Sequence, residues 1–426
     1  MAAPIPDLPI LAEDDSMLTR KFGREVANYF SGSPLNRVSF LRGDHGFLSS
    51  AFSHPTASFL LMENLSPLAQ DPTKLAYVEK SIVEPLTGSD PFKKTEEELL
   101  KEFNSDVAFP VILFLGIDEK KKSGFEYKDY RGAPYFAVDV TPKGSITEVA
   151  KGVIETAKAK GVSFLPGTRH ITLNAPEGEI PWFFVQKTTP TDIGAAAIYA
   201  QARALLDWNA RSPFCGGCGQ KTLSVNAGMK RTCPPTDLAG VPEGGAPKER
   251  GPCPTRHGVS NLCFPRTDPT MIVAVVSADG TKMLLGRQKR WPPYWYSTLA
   301  GFLEPGESIE EAVRREVWEE SGVTVGRVVI HSSQPWPYPA NLMIGAIGQA
   351  TTEGETINLG NDPELESAKW FPMEEVRDAL LTGTSGLGEA APEGYKEGGL
   401  RLPPQTAIAN RLMDAVTGGF LAASKI

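Results

Sequence analysis

The segment GFLEPGESIEEAVRREVWEESGV, residues 301–323, decides how the C-terminal part of this chain folds. Ser308 and Glu311 have the spacing of a capping box, which predicts that a helix begins at Ser308. Its buried face is predicted by apolar residues that repeat every four positions: Ile309, Val313 and Val317.

Three glutamates crowd into little more than one turn of this predicted helix: Glu316, Glu319 and Glu320. Positions three and four apart share a helix face, so these carboxylates lie close together. Such closeness costs free energy unless a cation neutralises them, and a hard divalent ion does so with oxygen ligands. Taken alone, a run of glutamates is more often a solvent-exposed face, so the interpretation depends on the surrounding pattern.

That pattern fits G-x5-E-x7-R-E-U-x-E-E-x-G-U, where U is a bulky aliphatic residue, at nine fixed positions over twenty-three residues. The segment resembles the Nudix box. The resemblance implies an enzyme that hydrolyses a nucleoside diphosphate linked to another group. In such a reaction water attacks phosphorus, and Mg²⁺ or Mn²⁺ neutralises charge and activates the nucleophile.

The resemblance also implies a role for each matching residue. Glu316 and Glu320 would be the main metal ligands and Glu319 would assist them in catalysis. The backbone carbonyl of Ala300 would be a further ligand. Four positions would keep the loop–helix–loop in shape: Gly301, Glu307, Arg315 and Gly322.

The five cysteines all fall between Cys215 and Cys263. Cys215 and Cys218 form a C-x2-C knuckle, and Cys233 and Cys253 follow it, which is typical of a structural zinc site with four thiolates. A redox motif is the alternative, but the pattern of a thioredoxin-like βαβ unit does not surround the knuckle.

A proline-rich aromatic segment, SQPWPYP at 333–339, follows the Nudix box and the next predicted strand. Prolines at alternate positions stiffen a chain that carries two large aromatic rings. We expect a rigid loop suited to stacking a nucleobase. A proline-rich turn with buried aromatic residues is the alternative.

The zinc knuckle, the Nudix box and SQPWPYP, in that order, resemble the NADH pyrophosphatase subfamily. FSGSPLNR at 30–37 and ARALLDWNARSPFCGGCG at 202–219 extend this resemblance over most of the chain. It implies cleavage of NADH to reduced nicotinamide mononucleotide and AMP. It also implies removal of the NAD cap from RNA in some members, and a homodimer.

When the functional residues of the subfamily are matched to this chain by position, the resemblance implies that Glu364 is a further metal ligand and that Ala409 is part of a base pocket. Phe264 stands where the subfamily often has Tyr, so stacking is retained and a hydroxyl contact is lost. Cys253 is favoured as the fourth zinc ligand on its spacing in relatives, while Cys263 and His257 remain competitors. The predicted substrate loop comprises Gln334, Pro335, Trp336, Pro337, Tyr338, Pro339, Ala340 and Asn341.

The chain of 426 residues is long enough for two or three domains. We predict an α+β fold in three parts. Residues 1–190 would form a Nudix-like α+β domain, with strands predicted in 57–65, 110–117, 134–140 and 181–186. Residues 191–266 would form a connecting helix and the zinc ribbon, whose Gly- and Pro-rich sequence indicates loop. Residues 267–426 would form the catalytic Nudix domain, an α/β/α sandwich with a mixed sheet, followed by a tail. Within that domain we predict a hairpin at Asp279-Gly280 and a mobile loop at 382–399.

The composition of the chain limits the kinds of binding partner that we expect for it. A formal net charge of −8 argues against a broadly basic nucleic-acid surface. The longest apolar runs, at 110–117 and 271–276, are too short to span a membrane. Two rivals remain open: a diphosphatase preferring ADP-ribose, FAD or coenzyme A, and an RNA-associated factor that binds transcripts through its zinc ribbon.

The two ends of the chain give the sequence signals for the cellular compartment of the protein. The N-terminal segment lacks the cationic start and apolar stretch of a secretory signal. Ser424, Lys425 and Ile426 resemble the peroxisomal Ser-Lys-Leu address with one aliphatic exchange, which predicts binding to the peroxisomal import receptor. The alternative is that the tripeptide occurs by chance and that the protein is cytoplasmic.

Overall fold

The structure is a computed structural model that describes residues 26–71, 74–121, 124–165, 193–258, 260–387 and 389–418. The strand predicted at 181–186 and the C-terminal tripeptide lie outside the described residues. Within the described ranges, none of the helices combines the length and apolar character needed to cross a bilayer.

The N-terminal unit is built on a sheet with strand order β3-β2-β1-β6-β4, to which β5 and β7 are added at β6 and β2. Strands β1 and β6 run parallel and the other pairs run antiparallel. The strands are β1 (Ser58–Glu63), β2 (Ser66–Asp71), β3 (Lys74–Leu75), β4 (Ile112–Asp118), β5 (Phe125–Tyr127), β6 (Tyr130–Asp139) and β7 (Ser163–Phe164). The predicted strands in 57–65, 110–117 and 134–140 are therefore confirmed.

Helices cover both faces of this sheet because successive residues of a strand point to opposite sides. Phe59 and Leu61 pack in one core with α1, α2 and α4, whereas Leu60 and Met62 pack in another with α5. The helices are α1 (His45–Ser53), α2 (Lys80–Thr87), α3 (Glu96–Lys101), α4 (Thr147–Lys158) and α5 (Ile193–Arg211).

The cysteine-rich segment carries two short hairpins where the sequence indicated only loop: β8 (Leu223–Val225) with β9 (Lys230–Thr232), and β10 (Thr236–Asp237) with β11 (Lys248–Glu249). The second hairpin is anchored to the N-terminal unit. Asp237 pairs with Arg250 and accepts a hydrogen bond from the Ser105 amide at 2.9 Å. The Arg250 guanidinium lies 4.9 Å from the centre of the Phe103 ring.

The C-terminal unit is the predicted α/β/α sandwich with a mixed sheet. Its strand order is β15-β16-β12-β13-β17, with β14 paired to β12, and β12 and β16 run parallel. The elements are β12 (Asp268–Val276), β13 (Lys282–Gln288), β14 (Leu299–Phe302), α6 (Ile309–Ser321), β15 (Val325–Trp336), β16 (Asn341–Ala350), β17 (Leu365–Pro372), α7 (Met373–Thr382) and α8 (Ile408–Thr417).

Alternation along β12 explains the two layers of helices. Met271 and Val273 pack in the core beneath α6, and Ile272 and Ala274 pack in the core beneath α7 and α8. The hairpin predicted at Asp279-Gly280 joins β12 to β13, and Gly280 has a φ of 73°, a value that glycine adopts without strain.

One prediction about loops needs correction. Gln334–Trp336 continue strand β15 and pair with β16, so only residues 337–340 form the turn of the aromatic segment. The mobile loop at 382–399 stays a prediction. Among the residues of this stretch that the structure describes, Leu387 is buried and Thr384 forms an isolated bridge with Leu402.

Candidate active site

Helix α6 begins where the sequence predicts, with Ser308 as its N-cap. The Ser308 side chain accepts a hydrogen bond from the Glu311 amide at 3.3 Å, and the Ser308 amide donates to Glu311 at 2.7 Å. At the C-terminal end Gly322 adopts a left-handed φ of 74°. A Cβ there would lie 2.8 Å from Asn358 Cβ, so only glycine fits.

Arg315 connects the acidic residues of the motif. Its guanidinium donates to both carboxylate oxygens of Glu307, at 2.6 and 2.9 Å, and to Glu316 and Glu319 at 3.0 and 2.9 Å. It also donates to the Phe302 carbonyl at 2.8 Å. The bond from Arg315 holds the pKa of Glu307 at about 2, and these carboxylates raise the pKa of Arg315. Arg315 thus offsets part of the repulsion within the helix.

Glu320 receives no such compensation. The residue is 6% exposed, and its Oε2 atom has no hydrogen-bond partner among the described residues. Burial, and then the charges of Glu316 and Glu364, raise the pKa of Glu320 to about 8. Burial also raises the pKa of Glu316, with Glu319 and Glu364 adding to the effect. A group of neighbouring acids in which the buried member, Glu320, has an oxygen with no partner among the described residues fits a hard cation.

These acids open into a cavity of about 550 Å³, the size of a small-molecule site. Its acidic end is lined by the predicted residues Ala300, Gly301, Glu316, Glu320 and Glu364. Glu319 lies off the cavity wall, with its carboxylate on Arg315. Asp362, which the sequence interpretation missed, adds negative charge near Glu320.

Another part of the cavity wall is formed by the aromatic segment and the start of α8. The predicted residues on its wall are Gln334, Trp336, Tyr338, Asn341 and Ala409. The other predicted loop residues, Pro335, Pro337, Pro339 and Ala340, lie off the wall. Gln334 and Trp336 are on the wall while Pro335 is not, because alternate residues of an extended chain face opposite sides. Phe264 is 42% exposed and also lies outside the cavity.

Gln334 connects three segments of this wall through hydrogen bonds. It is fully buried, its amide nitrogen donates to the carbonyls of Tyr29 and Thr406 at 3.0 and 2.9 Å, and its oxygen accepts from the Ile408 amide at 2.9 Å. The neighbouring turn is held by Arg203 of α5, which donates to the Pro337 carbonyl and lies 4.3 Å from the centre of the Tyr338 ring. Gln334 and Arg203 therefore fix the shape of the aromatic wall.

Sequence reasoning missed several wall residues: Tyr29, Phe30, Trp291, Trp295, Phe302 and Leu387. The aromatic residues in RWPPYWY and the motif residue Phe302 carried a local signal, because aromatic residues beside a diphosphate motif are candidates for base stacking. Tyr29 and Phe30 carried no local signal for the site, since they lie far from the motif in sequence; FSGSPLNR, which begins at Phe30, only extended the family resemblance.

Unpartnered polar atoms concentrate in this cavity. Among the described residues, these wall residues each have a buried side-chain atom that lacks a hydrogen-bond partner: Glu320, Trp291, Thr298, Tyr338 and Asn341. Buried polar groups are nearly always paired, so a cluster of unpaired ones indicates a polar ligand. The cavity offers an acidic end, aromatic rings and free hydrogen-bonding groups.

A second site gathers Cys215, Cys218, Cys233 and Cys253, whose sulfur atoms all lie within 4.8 Å of one another. The sulfur atoms are 3.5 Å apart in the pairs Cys215–Cys253 and Cys218–Cys233. A zinc tetrahedron with bonds of about 2.3 Å has edges of roughly 3.8 Å, so the set fits zinc. Cys263 lies outside the cluster, with its sulfur 3.8 Å from the Thr255 carbonyl.

Comparison with known proteins agrees with this arrangement. Residues 266–392 match the NUDIX domain, and residues 210–240 match the NADH pyrophosphatase zinc ribbon domain. The chain is 33% identical to a NAD-capped RNA hydrolase of Schizosaccharomyces pombe, over 91% of this chain and 92% of that protein. It is 34% identical to NAD-capped RNA hydrolase NPY1 of Saccharomyces cerevisiae, over 92% of this chain and 95% of that protein.

The human NAD-capped RNA hydrolase NUDT12 is also 34% identical, over 91% of this chain and 73% of that protein. The chain belongs to the Nudix hydrolase family, in the group that carries an NADH pyrophosphatase zinc ribbon. Members of this family use divalent metals, in agreement with the acidic end of the cavity.

Proposed function

We propose that this chain hydrolyses the diphosphate bond of NADH or NAD⁺, giving reduced or oxidised nicotinamide mononucleotide and AMP, and that it also removes the NAD cap from RNA. One observation carries the proposal: a single cavity joins the carboxylates of the Nudix helix to a wall of aromatic residues. A nucleoside diphosphate has matching parts, a charged diphosphate and a flat base.

The acidic end of the cavity would hold the catalytic metal, which we propose to be Mg²⁺ or Mn²⁺. Glu316, Glu320 and Glu364, with the Ala300 carbonyl, supply hard oxygen donors. A divalent ion bound there would withdraw charge from the diphosphate oxygens and so favour attack by water. Arg315 orients Glu316 and Glu319 through its hydrogen bonds.

The remainder of the cavity would hold a nucleoside. Trp336 and Trp291 present aromatic surface for a base, and the exposed ring of Phe302 lies on the same wall. The unpartnered groups of Thr298, Trp291 and Asn341 would then bond to the polar edge of the base or to the ribose. Specific binding of a polar ligand satisfies groups that are otherwise buried at a cost.

Product analysis tests the substrate. The purified protein is incubated with NADH, ADP-ribose, FAD, coenzyme A and NAD-capped RNA, each with Mg²⁺ and then with Mn²⁺, and a chelator removes the metal in a parallel sample. We expect fastest cleavage of the NAD-containing substrates and no turnover with the chelator. Comparable rates on FAD, coenzyme A and ADP-ribose would contradict the proposal.

The RNA activity is favoured by the names of the relatives, which are NAD-capped RNA hydrolases. If the zinc ribbon binds the transcript, cleavage of capped RNA will weaken steeply with salt while cleavage of NADH will not, because phosphate contacts release counterions. A net charge of −8 leads us to expect similar salt dependence for both substrates, with the RNA held mainly by its cap.

We also propose that Ser424-Lys425-Ile426 directs the chain to peroxisomes through the import receptor, and that the chain is a homodimer. Support for the address is the tripeptide itself. Removing the three residues from a fluorescent fusion is expected to turn a punctate peroxisomal signal into a diffuse one. Sedimentation of the purified protein measures the oligomeric state.

A further inference from the structure

The segment Asn28–Phe30 of the N-terminal unit reaches the candidate active site. Tyr29 and Phe30 line the cavity although Trp336 and the Nudix helix belong to the C-terminal unit. All three residues of the segment are buried, with exposures of 1%, 4% and 3%. The contact is therefore part of the folded core and brings two distant parts of the chain together.

Hydrogen bonds fix this segment to strand β15. The Asn28 side-chain amide donates to Ser332 Oγ at 3.1 Å and to the Ser333 carbonyl at 2.9 Å. The Tyr29 carbonyl accepts from Gln334 at 3.0 Å. Consecutive residues of the segment thus bond to consecutive residues of β15, directly before Trp336.

Phe30 supplies the aromatic contact. Its ring meets the Trp336 ring edge-on with 6.0 Å between centres, and the Tyr338 ring at 6.2 Å. Phe30 has a φ of 71°, a left-handed conformation that is uncommon and strained for a residue with a side chain. Such strain persists where surrounding contacts impose it, as they do here.

The chain that follows Phe30 is anchored in the N-terminal sheet. Asn36 and Ile117 of β4 exchange backbone hydrogen bonds at 2.9 and 2.8 Å, and Leu35 packs in the core beneath α5. The N-terminal sheet, Phe30 and Trp336 therefore form one continuous packed path, so that a change at Phe30 is transmitted to the base-binding wall.

We propose that Asn28 and Phe30 are positioning residues that hold Trp336 in the orientation that binds the nucleoside, so that the N-terminal unit sets the affinity for the dinucleotide. The proposal rests on the proposed NAD(H) hydrolysis. The contacts of Asn28 with Ser332 and Ser333, and of Phe30 with Trp336 and Tyr338, all involve the aromatic side of the site. We therefore expect loss of either residue to weaken substrate binding and to leave the chemical step intact. This assigns a role to a unit for which the sequence motifs gave none.

The test compares the full-length wild type with Phe30→Leu and Asn28→Ala, measuring KM and kcat for NADH and the affinity for AMP by equilibrium dialysis. Phe30→Leu keeps an apolar side chain and the same backbone strain but loses the ring edges. We expect KM and the AMP dissociation constant to rise about tenfold in each variant, with kcat within about twofold. Phe30→Tyr retains the ring and is expected to keep wild-type KM.

The control is Phe40→Leu, since Phe40 belongs to the same unit, is 67% exposed and contacts Tyr130 away from the cavity. A purely structural role would reduce the folded fraction and lower kcat at constant KM. Unchanged KM and AMP affinity in the folded variants would overturn the inference, and Asn28→Ala decides it if Phe30→Leu does not fold. A wild type that leaves NADH intact would refute the proposed function itself, and the inference with it.

Discussion

The Glu316 carboxylate lies directly over Gly301. A Cβ at residue 301 would sit 2.0 Å from Glu316 Cδ, a distance at which one of the two must move. Gly301 begins the motif and Glu316 lies on the helix that follows, so strand β14 and helix α6 approach each other here without a side chain between them. The glycine makes room for the proposed metal ligand.

We therefore expect Gly301→Ala to displace the Glu316 carboxylate while the protein stays folded. Displacing a reacting group by about 1 Å can cost on the order of 10²-fold in rate, so kcat for NADH is expected to fall by about that factor. The matched control is Gly326→Ala, whose new Cβ would lie 3.4 Å from Thr351 and is expected to leave kcat unchanged. Unaltered turnover in Gly301→Ala would contradict the placement of Glu316.

Glu320→Gln tests the proposed metal site with a change of charge at constant shape. Loss of this ligand is expected to reduce kcat on the order of 10³-fold, equivalent to roughly 4 kcal/mol. Circular dichroism is expected to show a folded protein, because the amide keeps the shape of the carboxyl and cannot carry the charge that burial, Glu316 and Glu364 disfavour. Glu310→Gln, on the same helix but off the cavity wall, should behave as wild type. Near-normal hydrolysis by a folded Glu320→Gln protein would reject the assignment.

Thr298→Val tests whether the cavity binds a polar ligand through the Thr298 hydroxyl. The Thr298 hydroxyl is buried, lines the cavity and has no hydrogen-bond partner in the part of the chain that the structure describes. Its isosteric removal is expected to stabilise the ligand-free protein by about 1 kcal/mol and to raise KM for NADH by roughly fivefold to tenfold. Denaturant unfolding and steady-state kinetics measure the two effects, and exposed Thr356→Val serves as control. A lower stability with unchanged KM would show that the hydroxyl serves the fold.

The zinc content of two variants distinguishes Cys253 from Cys263 as the fourth zinc ligand. Cys253→Ser removes a sulfur from the cluster of four, so metal content should fall well below one ion per chain and the melting temperature should drop by several degrees. Cys263→Ser should retain a full zinc complement, since its sulfur lies outside the cluster. A dye assay of zinc released from the purified proteins provides the measurement. Equal zinc loss in both variants would show that the fourth ligand is shared or misassigned.

Much of the active site was predictable because its signals are local. The start of α6, the hairpin at Asp279-Gly280 and the acidic face of the motif follow from spacings within a few residues, where backbone geometry alone decides. Gln334, Trp336, Tyr338 and Asn341 of the predicted aromatic segment lie on the cavity wall, but the segment was described as a loop. Its first residues belong to β15, because pairing with β16 overrides the tendency of proline to end a strand.

Other features depended on neighbours that no local pattern reveals. Arg315 had two acidic residues at helical spacing in the sequence, Glu311 and Glu319. The fold instead gives it the carboxylates of Glu307, Glu316 and Glu319 and the Phe302 carbonyl, because the chain from the end of β14 to Glu307 lies against the helix. The spacing of the cysteines left Cys253 and Cys263 open as fourth ligand. The packing of the ribbon brings only Cys253 into the group of four.

By itself, the sequence determined the Nudix helix, the acidic group on that helix and the cysteine-rich ribbon, because periodicity and spacing act over distances of a few residues. The sandwich followed from the family resemblance of that motif. Only the tertiary structure decided that Glu320 is buried, with its Oε2 atom unpaired within the described part of the chain, and that Phe30 meets Trp336 across about three hundred residues. Burial and long-range contact depend on how sheets and helices pack against one another, and that packing is a property of the whole chain.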